Sequence, residues 1–232
     1  MTEGEATKKL AEMLPRLYAW RLEIDRIEKA SPKDRTQPFP PATEADIAAA
    51  EARMKLKFPP SYRAFLKLHN GWRNLSYHWS ICGTSGEGWS SPSKAWTSAC
   101  ATFEKKCLKK GPAYRDGLRA KSKADPDVMY WPDHVPCATD FQGGFMVLDR
   151  NRPLGGGEYE IAEVATAEEA ANRVSDFVTY VESLMEIIRD ALTDHGRKPN
   201  SIAPVQPGAT ASQPTPQAKG AKPSKPPKGK GR

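Results

Sequence analysis

Residues 42–72 read ATEADIAAAEARMKLKFPPSYRAFLKLHNGW. This stretch decides the fold, because two short amphipathic helices are written there together with the punctuation that separates and ends them. Thr43 and Asp46 have the spacing of a capping box, in which the threonine oxygen takes an orphan amide and the carboxylate favours the positive helix end. Ile47, Ala50 and Met54 then share a face. After Phe58-Pro59, Pro60 suits the first position of a second helix, where its missing amide hydrogen costs nothing. Tyr62, Phe65, Leu66 and His69 follow at helical spacing, and Asn70-Gly71 supplies residues that tolerate the left-handed conformation of a helix stop.

The stretch resembles the SUKH superfamily (Smi/Knr-like), which takes in bacterial immunity proteins and fungal cell-wall-synthesis regulators. The matching residues are Glu51, Pro59, Tyr62, Phe65, Leu66, Asn70 and Gly71. Lys55 stands where the family usually has glycine, Phe58 where it has leucine, and Trp72 where a further small residue is common. A second match lies in PCATDFQGGFMVLDR, at Gly143, Leu148 and Asp149, with Gly144 in place of an aspartate. The resemblance implies an α+β fold, a mainly antiparallel sheet with flanking helices.

Outward from the signature, Leu10, Leu14, Leu17, Ile24 and Ile27 recur at helical spacing and predict a helix from about Pro15 to Lys29, with Pro15 kinking it or marking a first turn. Residues 31–42 are too proline-rich for regular structure, so residues 1–39 read as a helix and connection ahead of a domain over 40–196. Strands are expected at Leu75–Ile81, Val128–Trp131, Val135–Cys137, Phe145–Leu148 and Glu158–Ile161. Residues 83–127 shift to Gly, Ser and Lys, with one helical pattern near 95–109, and read as an insertion; 150–157 reads as a flexible hairpin connection. Thr166 and Glu169 form another capping box, and an apolar stripe from Val174 to Ile188 predicts a packed C-terminal helix. Residues 197–232 hold too few apolar anchors to offset chain entropy and read as a disordered tail.

The net charge of +7 is a property of that tail, which carries eight Lys/Arg and no Asp/Glu, leaving −1 on residues 1–196. The tail has no aromatic residue, so it offers nonspecific attraction to nucleic acid without base stacking. No run spans a bilayer and the N-terminus lacks the pattern of a signal peptide, which points to the cytoplasm. There Cys82, Cys100, Cys107 and Cys137 are expected as thiols, with Trp96, Ala99, Cys100, Phe103 and Cys107 on one helical face.

Catalysis finds little support. Cys137 with His134 lacks a third orienting group, Gly155–Gly157 lacks the context of a phosphate loop, and nothing calls for a cofactor or metal. Aromatic residues crowd the middle third. Most are expected to fill a sheet face, with Trp72 and Trp89 the better candidates for exposure. The candidate partner-binding set is Trp72, Arg73, Trp79, Trp89, Tyr130, Trp131, Asp140, Gln142 and Asp149. The resemblance implies a monomeric, noncatalytic domain that blocks a cognate toxin sterically, through the loops around 72–90 and 138–157. The alternative from the same superfamily is a regulatory or scaffold protein with a recruiting basic tail.

Overall fold

Local capping sets the helix pair in the computed structural model, which describes residues 1–76, 79–84, 92–140, 142–164 and 172–207. Thr43 Oγ1 accepts from the Asp46 amide, and the Asp46 carboxylate accepts from the Thr43 amide, closing the box that opens α2 (Glu44–Met54). The helix stops at Lys55, whose φ of 52° is left-handed. A residue with a Cβ holds that conformation at a cost of roughly 1–2 kcal/mol. α3 (Pro60–Leu68) begins at Pro60 and buries Tyr62, Ala64, Phe65 and Leu66. Pro59 has no side chain to cap it, and a distant carboxylate fills the role: Glu158 accepts from Ser61 N at 2.9 Å and from Ser61 Oγ at 2.6 Å.

α1 (Glu3–Ile27) corrects the helix expected from Pro15. Thr2 and Glu5 form a capping box of their own, and Pro15 lies inside the helix. Tertiary contact offsets the amide bond that proline forfeits. Pro15 is buried, and its carbonyl accepts from Val205 N at 3.0 Å. Residues 197–207, assigned to the tail on composition, thus run back over α1. Ile202 and Val205 pack on its core, and Trp20 Nε1 donates to Pro199 O at 3.0 Å. The disorder expected further on falls on 208–232, outside the described residues.

Seven strands form one antiparallel sheet in sequence order. They are β1 (Gln37–Pro38), β2 (Trp72–Ser76), β3 (Trp79–Ile81), β4 (Val135–Thr139), β5 (Phe145–Pro153), β6 (Tyr159–Val164) and β7 (Arg173–Val174). The single strand expected over Leu75–Ile81 is instead the meeting of β2 and β3. Asn74 takes a positive φ of 49° in a bulge, and its amide donates to Ser80 Oγ at 2.9 Å. The strand expected over Val128–Trp131 is absent: after a turn, a 3-10 helix covers Trp131–Asp133. β5 runs on through residues read as a flexible connection. α6 (Phe177–Asp194) is capped by Asp176, which accepts from Thr179 N, so Val174 belongs to β7; the box expected at Thr166 and Glu169 lies outside the described residues.

The insertion holds two helices, α4 (Pro92–Lys109) and α5 (Pro112–Ala124), where the sequence pattern showed one. Their presence gives the sheet a second covered face. Along β5, Met146 and Leu148 enter a core with α1, α3 and α6, while Phe145 and Val147 enter another with Trp96, Phe103, Cys107 and Leu118. Such alternation is the period-two geometry of a strand covered on both sides.

Trp72 is 0 % exposed, which corrects its expected place at a surface. Its Nε1 donates to Thr36 Oγ1 at 2.8 Å, and its ring lies edge-on to Tyr18 at 5.6 Å and His69 at 5.0 Å. It joins the connection, α1 and the helix stop to the sheet. Trp72→Ala should therefore lower unfolding free energy by about 3–5 kcal/mol, read from urea denaturation followed by circular dichroism; an unchanged midpoint would contradict this anchoring role.

Candidate partner interface

The sheet register sorts the candidate residues into two ends. Ser76 pairs with Trp79, Thr139 with Phe145, and Phe145 with Val164. Trp79, the turn 140–144 and the end of β6 therefore lie along one edge, here called the tip. Trp79 and Asp140 are half-buried there and Gln142 is exposed. Asp140 also builds the turn: Oδ1 accepts from Gln142 N at 2.7 Å and Gly144 N at 2.8 Å. A Cβ on Gly144 would fall 2.7 Å from Asp140 Oδ2, so Asp140 occupies the space a side chain at 144 would need. The turn thus keeps a carboxylate although residue 144 is glycine.

Asp149 lies toward the opposite end and is 1 % exposed, which corrects its assignment to a contact surface. It sits at a bulge: between Leu148↔Ile161 and Pro153↔Tyr159, β5 uses more residues than β6. Asp149 Oδ1 accepts from Asn151 N at 2.9 Å, and Oδ2 accepts from Arg173 Nη1 at 2.8 Å. The same guanidinium reaches Glu160 at 3.0 Å and the Pro126 carbonyl. Asp149 therefore holds β5, β7 and the return from the insertion together.

Tyr130 and Trp131 are also buried, at 3 % and 6 % exposed. Phe103 stacks on Trp131 at 5.1 Å and meets Tyr130 edge-on at 5.9 Å, so α4 covers both. Tyr130 Oη donates to Glu104 at 3.0 Å, and burial with this carboxylate pushes the phenol up to about 12. Arg73 is half-buried on β2; Trp89 lies outside the described residues. Sequence reasoning missed α5, and with it the cover on this face, because Ala, Gly and Lys leave only Leu118 and Ser122 as its buried side chains.

The Cys137–His134 pair lacks the features of an activated nucleophile. Cys137 is 0 % exposed, donates to Met146 O at 3.4 Å, and burial pushes its thiol up, away from the reactive thiolate. His134 Nδ1 stands 3.3 Å from Asp149 Oδ1 without hydrogen-bond alignment. Burial lowers its pKa below 6.5 despite the opposing pull of Asp149 and Asp133. Cys82, Cys100 and Cys107 are outside any disulfide, with Cys100 pushed up to about 12 by burial and by Glu104.

Two outcomes follow. Asp149→Asn leaves Arg173 short of its buried partner and should cost about 3 kcal/mol of stability in urea titration. For His134 the unfolded chain takes a proton before the folded one, so its contribution is complete above pH 6.5 and is lost as pH falls toward the lowered folded value. His69 shifts the same way through burial. Urea midpoints should therefore fall between pH 7.5 and 5.5, and His134→Gln should flatten that slope; equal slopes would contradict the burial account.

No helix among the described residues is long and apolar enough to cross a membrane. Comparison with curated proteins finds no match. A family model described as SMI1 / KNR4 family (SUKH-1) matches residues 41–183, from just ahead of the α2 capping box into α6, and takes in β2 to β7. With more than half of its 232 residues matched, on the elements that carry the sheet, the chain belongs to the SMI1 / KNR4 (SUKH-1) family.

Proposed function

We propose that this chain is a noncatalytic immunity-type domain that neutralises a cognate bacterial toxin by covering its active cleft. Family membership makes it a protein-interaction domain in general. The observation that carries the finer reading is a local charge. Residues 128–183 hold ten Asp/Glu against three Lys/Arg, a net of −7, within a body whose total is −1. A nearly neutral body argues against a basic toxin as the target; the acidic surplus of residues 128–183, with Asp140 and Glu163 near the tip, answers that objection, because complementarity acts through the facing surface.

The contact is assigned to the tip. Trp79 supplies an aromatic anchor there, Gln142 an exposed amide, and Asp140 a carboxylate held by two backbone amides. Glu163, also half-buried, pairs across the sheet with Met146 near the same edge. Trp72, Tyr130, Trp131 and Asp149 take no part, since each is enclosed.

Co-expression with the toxin encoded beside this gene is expected to restore growth. Trp79→Ala should weaken toxin binding by about 30-fold, as loss of a tryptophan anchor does, measured at a temperature where the variant is folded because Trp79 also packs against the main core. Gln142→Arg should weaken it further at low salt than at high salt. Failure to rescue any neighbouring toxin, with captured partners confined to host factors that require the basic tail, would replace this reading with the regulatory one.

A further inference from the structure

The insertion, which covers one face of the sheet, carries a positive charge. In the insertion, residues 92–127 hold nine Lys/Arg against four Asp/Glu, a net of +5. Its second helix, α5, finishes against the β5 bulge, where α2 also finishes. Arg150 Nη2 donates to Lys55 O at 3.2 Å and Arg152 Nη1 to Lys123 O at 3.2 Å. Asn151 Nδ2 donates to Ser122 O at 3.4 Å. The bulge thus caps two helix C-termini at once and brings Arg150 to the end of α2 and Arg152 to the end of α5. Among the described residues none of Lys55, Lys123, Arg150 and Arg152 has a carboxylate partner within an ion pair.

Helix capping accounts for Arg150 and Arg152. It does not account for Lys55. That residue is exposed and holds a left-handed backbone at φ 52°, a conformation suited to glycine. A strained residue whose side chain contributes nothing to packing points to a role at the surface. Beside it lies a depression of about 390 Å³ lined by Ala48, Ala52 and Leu56, with Glu51 beneath and Lys55 and Lys57 at its rim. An apolar floor inside a basic rim has the anatomy of a protein contact.

We propose that this surface docks an acidic segment of a second protein, one carrying carboxylates around an apolar side chain. A nucleic acid fits less well. The floor of Ala48, Ala52 and Leu56 offers nothing to a phosphate backbone and suits an apolar side chain. The proposal is independent of the toxin contact at the tip.

The test is an NMR titration of the full chain with a decapeptide of glutamates around one central leucine. Backbone amides of residues 53–57, 121–123 and 150–152 are expected to shift together and to saturate. Lys55→Gly with Lys123→Ser should weaken this binding at least tenfold, while Lys55→Gly alone raises the urea midpoint by relieving the strained backbone. That combination, greater stability with weaker binding, is one a purely structural lysine would not produce. Shifts confined to 208–232, an affinity unchanged in the double variant, or stronger saturation of the same amides by a duplex DNA dodecamer would each overturn the proposal.

Discussion

The buried carboxylate of Glu51 is the interaction on which the helix pair depends. It is 3 % exposed and accepts from Phe58 N at 2.9 Å, Lys57 Nζ at 2.8 Å and Arg63 Nη1 at 2.7 Å. Arg63 continues to Glu3 and Glu44, so one guanidinium links the starts of α1 and α2 to α3. Burying a carboxylate is unfavourable unless donors replace its water, and here they come from the α2–α3 link and from α3. These bonds tie the end of α2 to the start of α3.

The same constraint recurs across the molecule. Glu158 caps α3 from beyond the sheet, and Ser61 Oγ in turn accepts from Phe177 N at 3.2 Å, so α6 starts against the same group. Asp25 accepts from Thr36 N at 2.7 Å and pairs with Arg21 at 2.8 Å, fixing the proline-rich connection to α1. Asp149 does the equivalent for the bulge and β7. Burial raises the pKa of Asp25 and Glu158 even though hydrogen bonds oppose it. Carboxylates committed in this way hold elements together and are withdrawn from partners.

Charge is distributed unevenly along the chain. Composition conceals this, since the acidic half and the basic insertion nearly cancel within a body of −1. Residues of the signature have structural work: Tyr62 Oη donates to Cys82 O at 2.8 Å, Asn70 Oδ1 accepts from Thr84 N at 2.6 Å, and Gly71 takes a φ of 92°. Gly83 is pressed so closely on Asn70 that a Cβ would fall 2.5 Å from its carbonyl oxygen.

What the sequence alone determined is local. The Thr43 and Asp46 cap, the Pro60 start, the Asn70-Gly71 stop and the apolar run at Phe145–Leu148 are short-range signals, and they sufficed for the α+β class and the family. Pro15 and Val174 misled because long-range contacts outweighed propensity: residues 197–207 support α1 through the proline, and β6 takes Val174 into the sheet. Exposure was decided only by the tertiary structure. Trp72, Tyr130, Trp131 and Asp149 are residue types that serve interfaces and cores equally well. Their burial depends on α1, α4 and Arg173 arriving from far along the chain, and short-range spacing carries no record of that arrival.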